Sequence, residues 1–274
     1  MNQFSGTLSV AVEKERPFAG RHAVVTGGGR GIGVAIAAAL ASRGAAVSLL
    51  GRTAATLESA ASRLRDEHAV QAGIAVVDIA DEASVAAAVA QCVAERGRAD
   101  ILVNNAGIAP SAPFLKSDAK LWREVLDVDL MGAVHAARAV LPAMLEAGAG
   151  RIVNIASTAG ITGMAYVTAY CAAKHALVGF TRALAMETAR KGITVNAVCP
   201  GYTETDIVGD ALTNITAKTG RSREEALQSL VVHNPQARLI RPEEIGETVA
   251  WLCSDAAMSV TGQSIVVAGG ELMP

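Results

Sequence analysis

This 274-residue sequence predicts an α/β fold: one domain, doubly wound, with helices on both faces of a parallel sheet. Three observations carry that expectation. From Arg21 onward, short Val/Ile/Leu runs alternate with longer alanine-rich helical patterns. The apolar runs lack polar alternation, as strands covered on both faces require. A glycine-rich stretch, "TGGGRGIG" at 26–33, joins the first run to the first helical pattern.

The elements follow in order. "HAVVTG" reads as a buried strand and "IGVAIAAALASRG" as the first helix; "AAVSLLG" is the next strand, then the helix "TAATLESAASRLRDEH" and the strand "GIAVVDI". A helix over 82–97, the strand "DILVNNAG", a helix over 118–146, the strand "GRIVNIAS", a helix over 168–190 and the strand "GITVNAVCPG" continue the series. A last helix near 242–254 leads to "QSIVVAGG". Two segments break the rhythm. Residues 1–18 read as a loosely ordered extension to a domain over 19–274. Residues 203–238 read as an insertion directly after a strand, the usual place of a lid, with a Ser222/Glu225 capping box starting a short helix.

Composition narrows the function classes. Half of the residues (51%) are hydrophobic and 18% are charged, which supplies a large core and argues against disorder. A net charge of −2, with both signs mixed, offers no electrostatic reason for nucleic acid or an anionic membrane as partner. The four cysteines stand far apart without a CxxC pair, and the histidines have no ligand spacing, so neither a disulfide framework nor a metal site is expected. No signal-peptide pattern opens the chain, and no apolar stretch approaches the ~20 residues of a membrane span. A cytoplasmic protein is expected.

The glycine-rich stretch carries the first chemical signal. Between a strand and a helix, Gly27, Gly29, Gly31 and Gly33, with Arg30 and Ile32 among them, would let a pyrophosphate approach backbone N–H groups at a helix N-terminus. This is a Rossmann-type dinucleotide site, although its glycine spacing is not the plain GxGxxG. The end of the second strand should select the cofactor. An acidic residue there suits the ribose 2′-OH of NAD(H); this sequence has Gly51-Arg52 and no carboxylate. Arg52, with Arg30 as a second cation, favours the 2′-phosphate of NADP(H) over NAD(H).

A second signal lies in the helix over 168–190. The four-residue step in "YCAAK" stacks Tyr170 and Lys174 on one face of a largely apolar helix. With "TGGGRGIG", "NNAG" at 104–107, Ser157 thirteen residues before Tyr170, and "PGYTET" at 200–205, the chain resembles the short-chain dehydrogenase/reductase family from about residue 20 to its end. The resemblance implies seven strands in the order 3-2-1-4-5-6-7. It implies Ser157, Tyr170 and Lys174 as catalytic residues, Lys174 also holding the nicotinamide ribose. It places Asp78 and Ile79 at the adenine, Asn105 at the adenosine ribose, and Pro200, Gly201, Thr203 and Thr205 at the nicotinamide. It also implies a homo-oligomer, dimer or tetramer, formed through the helices over 118–146 and 168–190.

Carbonyl reduction needs a hydride, which a reduced nicotinamide supplies, and a proton for the developing alkoxide. Tyr170 would give the proton, its phenol made more acidic by the Lys174 ammonium, and Ser157 would hydrogen-bond the substrate oxygen. Where the family has a catalytic asparagine, "DVDLMG" has Asp129, three residues before Gly132. A carboxylate there would raise the Lys174 pKa and weaken the positive field on Tyr170.

"GRIVNIASTAG" and "GITVNAVCPG" most resemble reductases of 3-oxoacyl thioesters, polyketide ketoreductases included, so the expected substrate is a small carbonyl or alcohol, with a coenzyme A or carrier-protein thioester favoured. Lys218, Arg221 and Arg223 in the lid could meet the acidic part of such a substrate, or be solvated surface. The alternatives are a dehydrogenase of another small or cyclic secondary alcohol, and a regulator that binds NADP(H) without turnover. Oxidation of NADPH by a panel of ketones separates the last from the others.

Overall fold

The structure, a computed structural model, describes residues 16–273. Most of the expected N-terminal extension therefore lies outside the described residues. Its last residues do not behave as one: Phe18 is 1% exposed, packs into the main core and donates its N–H to the Arg43 carbonyl. The folded core thus begins inside the stretch expected to be loose.

Seven strands form one sheet in the order β3-β2-β1-β4-β5-β6-β7, with every pairing parallel. They are β1 His22–Thr26, β2 Ala46–Gly51, β3 Ala72–Val76, β4 Ala99–Asn104, β5 Gly150–Ile155, β6 Ile193–Pro200 and β7 Ser264–Val267. The chain winds outward through β1, β2 and β3, then returns to lay β4 beside β1. That reversal opens a crevice at the carboxyl ends of β1 and β4, where α/β sheets bind their ligands.

Among the described residues, nine α-helices connect the strands: α1 Gly31–Ala41, α2 Ala54–His68, α3 Glu82–Arg96, α4 Ala119–Leu126, α5 Gly132–Ala147, α6 Thr168–Thr188, α7 Asp206–Thr219, α8 Arg223–Val231 and α9 Pro242–Cys253. Ile36, Leu40, Leu57, Leu64, Ile245 and Val249 of α1, α2 and α9 cover one face of the sheet. Val85, Val89, Val140, Met144 and Leu184 of α3, α5 and α6 cover the other. Burial of this kind contributes roughly 25 cal/mol per Å² of apolar surface.

Two expectations need correction. The helix expected over 118–146 is broken into α4 and α5 by a π-helical turn, Asp127–Met131. Counted through that turn, Ala119–Ala147 is long and apolar enough to cross a membrane, against the expectation from sequence. Its apolar side is nevertheless taken up by the core, where Val125, Ala136, Val140 and Met144 are buried. The second correction concerns the insertion over 203–238. Ser222 and Glu225 do form the capping box of α8, but a longer helix that was not foreseen, α7, precedes it.

Candidate active site

At the end of β1 the chain must turn sharply into α1, and Gly27 and Gly31 take left-handed φ values of +63° and +53° to do so. Gly33 is required by space: a Cβ there would collide with the Gly27 carbonyl and come within 2.7 Å of Asn105 Nδ2. Arg30 caps α1 without a side-chain hydrogen bond, and no acidic residue occupies the first turn. The N–H groups of that turn are therefore open to an anion, with the positive end of the helix dipole behind them. The residues present fit the pyrophosphate of a dinucleotide.

The loop is braced from β4. Asn105 Nδ2 donates to the carbonyls of Thr26 (3.0 Å) and Gly27 (3.1 Å). The Thr26 hydroxyl accepts from the N–H groups of Asn105 (3.0 Å) and Ala106 (3.1 Å). Asn105, which the resemblance gives to the adenosine ribose, thus holds the glycine loop in shape with its amide N–H groups. Thr26 was not singled out from sequence, although it opens the glycine motif.

Tyr170 and Lys174 lie one turn apart on α6, with the Lys174 ammonium 5.6 Å from the centroid of the Tyr170 ring. Lys174 is 4% exposed and donates to the Ile155 carbonyl at the end of β5 (3.0 Å). Ser157, two residues on, accepts from the Ala159 N–H (3.1 Å) and has its hydroxyl beside the Tyr170 phenol. A chain of buried polar groups registers α6 against the sheet. Asn104 donates to Asn154 (2.8 Å), Asn154 to Thr181 (2.8 Å), and Thr181 to the Leu177 carbonyl (2.8 Å). Sequence reasoning passed over Asn154 and Thr181, and gave Asn104 no role beyond its motif, because polar groups inside strand and helix patterns carry no signal until the elements meet.

Asp129 sits in the π-helical turn, a bulge of the kind often found at functional sites. It is 1% exposed. Its Oδ1 accepts the Ile108 N–H at 2.8 Å, and its Oδ2 lies 3.5 Å from Lys174 Nζ with no hydrogen-bond partner among the described residues. Burial raises the Asp129 carboxyl above its ordinary range, against the pull of Lys174 and the Ile108 N–H. Burial alone would lower the Lys174 ammonium, but Asp129 and Tyr170 outweigh it and hold the ammonium above its usual value. For Tyr170 the outcome corrects the expectation of an acidified phenol. Burial raises it above its ordinary value near 10, Lys174 lowers it, Asp129 raises it again, and the Ser157 hydroxyl lowers it; the net direction is upward.

The remaining predicted residues surround this centre. Arg52 is exposed just past β2, which ends at Gly51 with no carboxylate. Arg30 is also exposed and meets Asp206 at the start of α7 (3.2 Å). Asp78 is exposed and accepts the Ala80 N–H (3.0 Å), whereas Ile79 is buried. Ile79 leaves no room for a side chain at Gly132, where a Cβ would approach it to 2.7 Å. Pro200 ends β6. The Thr203 hydroxyl donates to the Gly201 carbonyl (2.9 Å), and the Thr205 methyl lies 3.3 Å from where a Cβ on Gly31 would stand. The base of the lid and the glycine loop therefore face each other. Cys171, half-buried, points its thiol at the Met164 carbonyl (3.8 Å).

Comparison with known proteins agrees with this geometry. A model of the short chain dehydrogenase family matches residues 21–215. The chain is 42% identical over 254 residues to cis-4-hydroxycyclohexanecarboxylate dehydrogenase of Sinomonas cyclohexanicum, covering 92% of this chain and 97% of the relative. It is 40% identical over 250 residues to a putative ketoacyl reductase of Streptomyces coelicolor, covering 90% of this chain and 95% of the relative. Among solved structures, a variant of the actinorhodin polyketide ketoreductase with NADPH superposes with a TM-score of 0.88 at 39% identity, over 92% of this chain and 97% of that one. A family model that spans most of the chain, and relatives similar along nine-tenths of it, lead to one conclusion: this protein belongs to the short-chain dehydrogenase family.

Proposed function

We propose that the protein uses NADP(H) to interconvert a carbonyl and a secondary alcohol, and that it reduces a 3-oxoacyl thioester to the 3-hydroxyacyl thioester. The observation that carries the reaction is the buried Lys174 under Tyr170, with the Ser157 hydroxyl beside the phenol. For the cofactor, support comes from Arg52 at an end of β2 that lacks a carboxylate and from the NADPH bound to the similar polyketide ketoreductase. For the thioester, support comes from the ketoacyl reductase among the relatives.

Bound with its pyrophosphate at the first turn of α1, the reduced nicotinamide would supply the hydride. This chain's residues do the rest. Ser157 donates a hydrogen bond to the carbonyl oxygen and polarises it. The Tyr170 hydroxyl gives its proton to that oxygen as negative charge develops there, and Lys174 stabilises the phenolate left behind. Lys174 is held in place by the Ile155 carbonyl and the Asp129 carboxylate. A tyrosine held above its ordinary pKa is protonated at neutral pH, which suits it to act as the acid in the direction of reduction. Gly201, Thr203 and Thr205 line the side where the nicotinamide would lie.

The test follows the absorbance of NADPH with a 3-oxoacyl N-acetylcysteamine thioester, in the native protein and in Tyr170→Phe. Turnover by the native protein should fall to a small fraction in the variant, while NADPH binding changes little because the ring packs as before. Near-native turnover in Tyr170→Phe would remove the tyrosine from the mechanism. Binding of NADPH without turnover of any ketone would leave the regulator in place of the enzyme.

A second reading, a dehydrogenase of a cyclic secondary alcohol, is favoured by the 42% identity to cis-4-hydroxycyclohexanecarboxylate dehydrogenase. We further read the protein as a cytoplasmic homo-oligomer. The exposed Met131 and Leu145 around α5, and Met186 on α6, support burial of those helices between subunits.

A further inference from the structure

Beyond β7 the chain turns back against the base of the lid. Gly269 and Gly270 take left-handed φ values of +62° and +92°, and the Glu271 N–H donates to the Ala268 carbonyl at 3.1 Å. This turn sets the Glu271 side chain against Gly201: its Oε2 lies 2.9 Å from where a Cβ on Gly201 would stand. Gly201 belongs to the stretch proposed to border the nicotinamide. The Tyr202 phenol that follows is raised by burial and then by the negative charge of Glu271, with Tyr170 also close enough to act on it. Strands β5 and β6 are paired with Ile155 opposite Val198, so Gly201 and the Glu271 carboxylate beside it stand at the same carboxyl edge of the sheet as Ser157.

Glu271 is half-buried. Among the described residues it has no ion pair or side-chain hydrogen bond; burial raises its carboxyl, and only the charge of His233 works in the other direction. A half-exposed carboxylate with no protein donor keeps water as its partner. One left unpaired beside a cleft acts on what enters the cleft. A substrate anion brought beside it would lose its hydration and meet a like charge in a region of reduced dielectric. A neutral substrate would meet no repulsion, and a hydroxyl or amide N–H on it would find an acceptor.

We propose that Glu271 is a specificity-determining residue that excludes substrates bearing a carboxylate near the reacting carbon and admits neutral ones, thioesters and esters among them. This rests on the assignment of the cleft above and separates its two readings, since a thioester is neutral there and a hydroxy acid is not.

The test compares matched pairs in the full chain with NADPH at about pH 8, where an exposed carboxylate is ionised. The pairs are acetoacetate with its N-acetylcysteamine thioester, and 4-oxocyclohexanecarboxylate with its methyl ester. In the native protein kcat/KM for each anion should be at least about tenfold below that of its neutral partner, and the ratio should rise by about tenfold or more in Glu271→Gln. Using the ratio cancels any loss common to both substrates. Binding of cyclohexanecarboxylate and of cyclohexanecarboxamide to the NADPH complex, read by NADPH fluorescence, gives the same comparison without turnover. Equal use or binding of anion and neutral partner by the native protein, or ratios unchanged in Glu271→Gln, would overturn the proposal. Turnover of the cyclic ester without turnover of the thioester would instead overturn the thioester reading and leave Glu271 in its role.

Discussion

Asp129 and Lys174 are each buried where a lone charge would be costly, and each is tolerable because the other is there. Their mutual pairing weakens the field that Lys174 alone would cast on Tyr170. Alcohol oxidation requires the phenolate, so its rate should rise with pH through the Tyr170 pKa, which lies above the ordinary value. Asp129→Asn removes one of the causes that raise it, while an asparagine oxygen can still accept the Ile108 N–H. The apparent pKa of the oxidation pH–rate profile should fall. A profile that does not move would mean that the carboxylate is already protonated in the working enzyme.

Arg52 is the residue proposed to select the cofactor. Arg52→Asp should weaken NADPH binding by roughly 1.5–3 kcal/mol, the range of a charge-assisted hydrogen bond, and should favour NADH in relative terms. Equal NADPH affinity in titrations of the native protein and the variant would place the phosphate contact elsewhere, with Arg30 the next residue to replace.

The glycine turn shows how closely the start of α1 packs against the loop that leads into it. Gly33→Ala puts a methyl group against the Gly27 carbonyl and Asn105. Overpacking of that kind costs roughly 1–3 kcal/mol. Because the displaced atoms form the loop itself, NADPH binding should fall together with the unfolding temperature. Calorimetry of the variant showing native affinity would mean that the loop can shift without losing its anion site. The π-helical turn between α4 and α5 is the other element where local structure and chemistry coincide, since it carries Asp129.

Far from this centre, at the amino end of the interior strand β1, His22 couples stability to pH. It is 1% exposed. Its Nδ1 must donate to the Gly97 carbonyl (2.8 Å), since a carbonyl can only accept, which leaves Nε2 to accept from the Ser48 hydroxyl (2.8 Å). Ser48 in turn accepts from Arg96 Nε (2.8 Å). Burial lowers the His22 pKa below 6.5; the Gly97 hydrogen bond and Asp100 act against this, and Arg96 adds to it. The folded protein therefore resists a proton that the unfolded chain accepts. Stability is fully present above 6.5 and declines as pH falls from there towards the lower folded-state pKa. His22→Gln should flatten that decline when urea midpoints are compared between about pH 7 and pH 5. Parallel slopes in the two proteins would assign the decline to other groups.

What the sequence determined by itself was governed by local pattern, although helix α7 and the π-helical turn escaped it. Strand and helix alternation, the Ser222–Glu225 box, the position of the glycine loop and the stacking of Tyr170 on Lys174 all follow from spacing along a chain with regular repeats. Tertiary structure decided what depends on dielectric and on distant neighbours. The upward direction of the Tyr170 pKa comes from burial set by several elements together. The bracing of the glycine loop by Asn105 joins residues 78 positions apart. Phe18 joins the main core and is tied to Arg43 between α1 and β2, and Glu271 faces Gly201 only because β6 and β7 are neighbours in the sheet. Periodicity encodes which face of an element is apolar; it carries no record of which charges that face will meet once the layers close.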